Sequence, residues 1–538
     1  MYKQKEDSFL KGTAVLAVSG IVVKLLSAAY RIPLTRMIGA EGMGKYSAAF
    51  NIFMPFFSLA VAGITPTVSR LSAMQKIDDK GAYTAIKRKA TVTFGVLSVL
   101  LVMVAVLVGW FYGQYMESPM IFIGVVLLCP NLLFATFEAV YKGISQGSLN
   151  MAVTAKASLL ESGAKLIIGI TTVYLAGVMV KNNAGDAQLI CAFATISVCG
   201  FICRAYMKND FNRCYGGSAA GSVEIKSSTL LSMAVPISLS ALVVSLANFF
   251  DTVVCLSIVK GIPDLQLMAA YPFVSFFAED EKAIWLFGVY QGLCLSVVNL
   301  IPSVSSAVGS SGLPYITRSI SSDDTESVLH QTSRLIKLTA FLVVPASLFV
   351  SFFPGEVLAT LYGDRGAQTT LATYFLRFMA PVAILSAFSF PLNSILHAQK
   401  KSATILKILI FSCAVKVALS AWLCSVPKIN IMGCIVSQIV FNCLVFVLSV
   451  FAVTKAAPGV AVIPQLIIPV AVAYLLLTFL RIFADFVLYA VPTVFKTVFC
   501  GGIFVVVYVT VFLFIGFSLI TLPPSDKINS IKEYDYGI

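Results

Sequence analysis

Ionisable side chains set in strongly apolar runs are the first features of this chain that could do chemistry. Lys24 and Arg31 stand seven residues apart, a spacing that stacks them on one face of a helix, two turns apart. Two cations on one stripe suit an anionic ligand such as a pyrophosphate or a carboxylate. A side chain that snorkels to the interface is the alternative for Arg31. Glu161 and Lys165 stand at i, i+4 with the acid first, the favourable order for a pair on one helix, and can simply neutralise one another. Lys416 lies in the middle of an apolar run with no acidic neighbour in sequence, which makes it a stronger cavity candidate. Asn248 and Asp251 share another run, where Asp251 can balance a cavity cation or bind a coupling ion. Arg70, Arg318 and Arg377 stand near the ends of runs and read as interfacial anchors. A cation at mid-bilayer costs ~2.5–3.5 kcal/mol even on the lenient insertion scale. Each in-run charge is therefore expected to face a partner or a water-filled cavity rather than lipid.

The elements that must position these groups are transmembrane helices. Of 538 residues 58% are apolar and 12% charged, and the mean hydropathy is +0.91. A soluble chain carries about 25% charged residues. Apolar runs recur along the whole length, many of them reaching the ~20 residues that cross a bilayer, and their continuity excludes an alternating β-barrel. Reading runs against charged or Gly/Pro-rich breaks places spans near 12–37, 46–68, 90–112, 119–141, 158–180, 187–206, 229–258, 283–308, 335–354, 371–396, 403–426, 431–454, 461–481 and 497–521. The short charged start lacks a cleavage pattern and is expected to remain as part of the first span.

The net charge of +13 does not call for nucleic acid. Lys and Arg gather in the N-terminus, the even-numbered loops and the C-terminus, with Arg70, Lys76, Lys80, Lys87, Arg88 and Lys89 in one loop. The positive-inside rule then places both termini in the cytoplasm. The twelve cysteines are scattered in apolar runs without a CxxC pair and read as small hydrophobes rather than as a disulfide or metal framework. No GxxxxGK[ST] loop is present, and His330 and His397 lie far apart without a nucleophile or metal-ligand spacing, so no enzyme and no cofactor is expected. Proline recurs in the runs, and its kinks favour a moving protein only weakly.

An internal repeat organises the spans. Pro66-Thr67-Val68-Ser69-Arg70 returns as Pro314-Tyr315-Ile316-Thr317-Arg318, Ile86-Lys87 as Ile336-Lys337, and Tyr112-Gly113 as Tyr362-Gly363. Pro130, Gln146 and Lys165 return as Pro381, Gln399 and Lys416, all at offsets between 248 and 253. The fold class is thus an all-α polytopic membrane protein of about fourteen helices. One six-helix lobe spans 1–225 and a second, in parallel orientation, spans 226–455. Two further helices and a tail occupy 456–538. Two such lobes with a site between them suit alternating access.

Phe9-Leu10-Lys11-Gly12-Thr13, Ile38-Gly39-Ala40-Glu41-Gly42-Met43-Gly44-Lys45-Tyr46 and Gly63-Ile64-Thr65-Pro66-Thr67-Val68-Ser69-Arg70 resemble the opening of bacterial polysaccharide-export proteins related to stage V sporulation protein B. The six-plus-six-plus-two plan is similar to that of MurJ-type lipid II flippases in the multidrug/oligosaccharidyl-lipid/polysaccharide superfamily. The resemblance implies movement of an undecaprenyl-pyrophosphate-linked saccharide toward the outer leaflet. It also implies a cationic central cavity for the pyrophosphate and a lipid groove formed by the two extra helices. It brings Arg36 into the first-span cation set with Lys24 and Arg31. It also brings in Gln291, which stands near a position where those flippases carry arginine; Phe56-Phe57-Ser58-Leu59 likewise replaces an arginine-bearing stretch. Expected partners are the lipid-linked substrate, membrane lipids and cell-wall synthesis proteins, with drive from the membrane potential or a cation. The rival readings are a cation-coupled multidrug exporter, which favours acidic cavity residues, and a non-transporting scaffold for cell-wall or spore assembly.

Overall fold

The computed structural model describes residues 2–75, 80–180, 183–215, 226–271, 282–321, 325–399, 401–456, 462–488 and 491–514. Among them every regular element is helical. In hydrocarbon each backbone polar group must be satisfied within its own segment, and a helix does this without a partner. The first helix, α1 (Tyr2–Val61), runs on into α2 (Ile64–Ala73). α3 (Lys80–Met116), α4 (Pro119–Gly147), α5 (Met151–Met179) and α6 (Ala184–Tyr215) follow. After α7 (Ser227–Lys260) and the short α8 (Asp264–Ala270), α9 (Lys282–Gly288) passes through a π-helical turn, Val289–Cys294, into α10 (Leu295–Ser321). Then come α11 (Thr325–Phe352), α12 (Pro354–Tyr362), α13 (Ala367–Met379) and α14 (Ala383–Ala398). The chain ends with α15 (Ser402–Cys424), α16 (Met432–Ala456), α17 (Val462–Val487) and α18 (Thr493–Phe514).

Among the described residues thirteen helical segments are long and apolar enough to cross a membrane, and the first of them crosses twice. Gly39 interrupts α1 with φ +70° and ψ −170°, a conformation open to glycine and strained for any other residue. Tyr30 and Tyr46 then line one cavity, whereas a straight helix would hold them about 24 Å apart. The chain therefore reverses at Gly39, and the crossings number fourteen. This corrects the expected boundary: residues 38–45 are not a loop, because helix resumes at Ala40, steadied by the Glu41–Lys45 ion pair one turn apart at 2.6 Å.

Helices α1–α6 pack mainly on one another, α1 against α4 and α5, α3 against α4, and α6 against α4 and α5. A second set is built from α7 on α15, α15 on α16, and α10 on α11 and α14, while α17 lies on α11 and α18 on α12 and α17. The sets meet where α1 packs on α7, α9, the π-turn and α10. Outward faces carry exposed Val96, Leu100, Met103 and Phe111 on α3, and Phe479, Phe486, Val505 and Val506 on the last two helices. Those side chains suit hydrocarbon as their solvent. The protein is a multi-pass membrane protein.

Candidate functional site: a cationic cavity

A cavity of about 340 Å³ lies where the two sets meet. Both halves of α1 reach it, with Tyr30, Arg31 and Leu34 before the Gly39 reversal and Tyr46, Ser47 and Asn51 after it. α5 contributes Lys165, α7 contributes Ser245 and Asn248, and α15 contributes Lys416. The π-turn and α10 add Gln291, Leu295 and Asn299. Of the expected site residues, Arg31, Lys165, Asn248, Gln291 and Lys416 are thus brought together from five elements. The charged side chains among the described lining residues are all basic.

Each cation is held differently. Arg31 donates through Nη2 to the Gln291 carbonyl at 3.4 Å, while its buried Nε has no partner among the described groups. Lys165 sits over the Tyr30 ring, 5.0 Å from its centre, within cation–π range. Lys416 Nζ lies 3.1 Å from Asp251 Oδ2, and the two side chains are only 4% and 1% exposed. Neither Asp251 carboxylate oxygen has a hydrogen-bond donor among the described groups. Asp251 itself does not line the cavity; it balances Lys416 from behind.

Two expected cations lie elsewhere. Lys24 is not in this cavity; its ammonium bonds Ser306 Oγ on α10 and approaches the Phe390 ring at 5.8 Å. Seven residues put it on the Arg31 face, but two turns closer to the chain start, where the side chain is exposed and only its ammonium reaches α10. Arg36 is not in the cavity either. Its guanidinium donates to the carbonyls of Thr360 and Leu361 at the end of α12, and Arg365 donates back to the Arg36 carbonyl. A helix C-terminus leaves carbonyls unpaired and attracts a cation, and this one takes Arg36. Glu161 also sits apart from the cavity, with its carboxylate close to Glu138 and Cys203, while Glu138 pairs with Lys142.

Sequence reasoning missed Ser47, Asn51, Ser245 and Asn299, neutral polar groups whose signal was spacing. Gln291, Leu295 and Asn299 recur every four residues on one face, as do Ser47 and Asn51. Hydroxyl and amide pairs continue the seam between α1 and α7: Asn51 donates to Thr252 at 2.9 Å, Ser58 meets Ser245 at 2.6 Å, and the Gly63 amide donates to Ser238 at 3.0 Å. On the other side of the cavity the backbones of α1 and α9 touch. A methyl group on Gly288 would run into the Ala40 carbonyl, and one on Gly44 into that of Ile284.

The sequence model of the family described as polysaccharide biosynthesis protein matches residues 9–318, more than half of the chain. The chain belongs to that family. A second model, MatE, matches residues 291–422. Among curated proteins, stage V sporulation protein B of Bacillus subtilis (strain 168) is 25% identical over 472 residues, covering 84% of this chain and 85% of its own. Lipid II flippase MurJ of the same organism is 24% identical over 460 residues, covering 79% and 78%. Among solved structures, lipid II flippase MurJ in an inward closed conformation superposes with a TM-score of 0.63 at 13% identity, over 94% of this chain and 98% of that one. An inward-facing multidrug resistance MATE family transporter gives 0.59 at 15% identity, over 83% and 100%. This polysaccharide biosynthesis family member thus has the fold of membrane transporters, and among those proteins MurJ is named a flippase and the MATE protein a transporter.

The last two helices add a second kind of surface. Phe341, Pro345 and Phe349 of α11 face Gly501, Phe504 and Tyr508 of α18 across an almost wholly apolar groove of about 290 Å³. At the end of α17, Arg481 reaches Glu356 of α12 at 2.6 Å and Asp485 at 2.9 Å. That cluster ties the extra helices to α12, whose far end holds Arg36.

Proposed function

We propose that this chain is a flippase that carries an undecaprenyl-pyrophosphate-linked saccharide, lipid II or a relative, across the bacterial cytoplasmic membrane by alternating access. The observation that carries the reading is the cavity: Arg31, Lys165 and Lys416 converge there without a carboxylate on its surface, and the Arg31 Nε is left without a protein partner. A buried, unpaired donor on a charged group is costly, and a pyrophosphate relieves that cost through charge-assisted hydrogen bonds. Asn51, Asn248, Gln291 and Asn299 offer neutral hydrogen bonds to the sugar side of the same ligand. The apolar groove between α11 and α18 suits a polyprenyl tail.

In this reading 1–225 and 226–455 are the two lobes, 456–538 stands outside the repeat, and both termini are cytoplasmic. Lys24 with Ser306 then closes the cytoplasmic side, and Arg36 with the α12 carbonyls closes the outer side. The relatives named for lipid II flipping and for sporulation support a cell-wall precursor as cargo, with membrane lipids as the surrounding partner and cell-wall synthesis proteins as candidates downstream. Membrane potential or a coupling cation supplies the drive. A cationic drug fits poorly, because a basic lining repels it.

The test is reconstitution of the purified chain in vesicles with a fluorescent lipid-linked saccharide, read by quenching from outside. Protein-dependent flipping that Arg31→Gln abolishes is expected. Flipping no faster than in empty vesicles, with correctly folded protein, overturns the reading and leaves a scaffold.

A further inference from the structure

Three cysteines meet inside the second set of helices, away from the cationic cavity. Cys255 of α7, Cys424 at the end of α15 and Cys434 near the start of α16 have sulfur atoms within 4.8 Å of one another, and all three are fully buried. Cys424 and Cys434 lie 3.4 Å apart, and Ser420 Oγ lies 3.4 Å from Cys434 Sγ. They come from three helices and two widely separated parts of the chain, so no local spacing announces them.

The surroundings hold the three thiols in place. A Cβ on Gly433 would lie 2.7 Å from the Cys424 nitrogen, so only glycine lets α16 start this close to the end of α15, and that approach brings Cys434 to Cys424. The hairpin between them is pinned by Asn430, at φ +39°. Its Oδ1 accepts from the Ile431 amide and from the Tyr271 hydroxyl. Burial pushes the Tyr271 phenol well above its ordinary range, which keeps it a donor. Apolar Leu256, Ile431 and Ile435, none more than marginally exposed, complete the wall.

We propose that Cys255, Cys424 and Cys434 form a trigonal thiolate site for a thiophilic d¹⁰ cation, copper(I) above all. Thiolates select soft cations. Zinc asks for a fourth ligand in tetrahedral array, and the cluster holds three thiols, with the neutral Ser420 hydroxyl beside Cys434. His397, one of the two histidines in the chain, bonds Ser402 instead. Binding displaces the thiol protons, since ligating cysteines must be deprotonated. Lys416, paired with Asp251, stands on the same face of α15 as Ser420 and Cys424. Asp251 and Cys255 are likewise one turn apart on α7. A bound ion would therefore join α7, α15 and α16 beside the Asp251–Lys416 pair and stiffen one wall of the cavity.

The experiment uses the purified full chain in detergent under anaerobic, reducing conditions, titrated with copper(I) held by a chromophoric chelator. The expected result is withdrawal of one copper per chain from the chelator, a sulfur-to-copper charge-transfer band, and a higher melting temperature on loading. Cys255→Ser, Cys424→Ser and Cys434→Ser should each weaken retention at least about tenfold, by analogy with the loss from even outer-shell changes. Cys129→Ser and Cys203→Ser, buried in the first set of helices, should retain it. Where a serine variant does not accumulate, the alanine variant at the same position carries the same comparison. Wild-type protein with three free thiols that leaves the copper on the chelator overturns the proposal. So does retention unchanged by Cys434→Ser, or a Cys424–Cys434 disulfide that persists in reductant and excludes the metal.

Discussion

Replacing the buried pair of Lys416 and Asp251 one partner at a time, and then together, separates what holds the protein from what holds its cargo. At 3.1 Å and an effective dielectric of about 20, the pair attracts with about 5 kcal/mol. Desolvation of each ion costs several kcal/mol, so the pair as a whole contributes little net stability. Breaking it is another matter. Lys416→Met strands a carboxylate that is 1% exposed, and Asp251→Leu strands an ammonium that is 4% exposed. Either single change should cost about 3–5 kcal/mol, and the double change should return most of that. The assay is a denaturant titration of purified protein in detergent, run as a double-mutant cycle, beside vesicle flipping of a fluorescent lipid-linked saccharide. The expected outcome is two unstable single variants and a stable double variant that still flips poorly, because the cavity has lost a cation. A double variant as unstable as the two singles added would refute the pairing argument. Wild-type flipping in a stable double variant would remove Lys416 from the cargo site and leave Arg31 and Lys165 to carry the anion.

Arg31→Gln removes an ionic donor whose hydrogen bonds to a charged partner are worth about 1.5–3 kcal/mol. Flipping should fall at least about tenfold at unchanged melting temperature, whereas Arg36→Ala, which loses only bonds to the α12 carbonyls, should fall less. Gly288→Ala puts a methyl into the Ala40 carbonyl; crosslinking across the α1–α9 contact should drop while protein levels hold, and undiminished crosslinking counts against so close a backbone contact. In a background without native cysteines, Lys428→Cys should react with an impermeant maleimide in intact cells and Ser148→Cys should not; the reverse pattern overturns the orientation.

Much of this was legible before any coordinates, and the limits have physical causes. Apolar length and loop charge report spans directly, because the bilayer imposes them on every segment separately. The reversal at Gly39 is hidden: Gly39, Gly42 and Gly44 together look like a loop, yet only Gly39 has positive φ, Gly42 makes room for Ile38 just before the reversal, and Gly44 lets α9 approach closely. Arg31, Lys165, Asn248, Gln291 and Lys416 reached one cavity, five of the nine named residues. Lys24 and Arg36 did not, because a shared helix face says nothing of depth, and each found a partner on the second set of helices at its own level. The acid that balances Lys416 lies on another helix, so sequence could name Asp251 and Lys416 separately but could not pair them. The cysteine cluster stays hidden in the sequence for the same reason, since its members stand on three helices.

The bonding across the seam also bears on how the two sets can move. Inside each set the buried charges are paired, Lys142 with Glu138 and Lys416 with Asp251, and separating either pair would cost several kcal/mol. Between the sets the bonds are of another kind: the cations that cross, Lys24 to Ser306, Arg31 to the Gln291 carbonyl and Arg36 to the Thr360 and Leu361 carbonyls, meet neutral acceptors and are worth about 1.5–3 kcal/mol each. Asn51 with Thr252, Ser58 with Ser245, Gly63 with Ser238 and Thr93 with Ser227 are neutral contacts worth about 0.5–1.5 kcal/mol each. Lys260 with Glu117 is an exposed pair at 3.0 Å, worth about 1 kcal/mol or less. Hydroxyls and amides on a seam that opens to water exchange one partner for another at little cost. The sets can therefore part as rigid bodies while their own ion pairs stay closed. A ligand that engages Arg31 from one set and Lys416 from the other then biases that equilibrium by its differential contacts alone. In the proposed cycle, charge that binds the cargo and neutral bonding that lets the seam open fall to different residues of α1, Arg31 and Asn51.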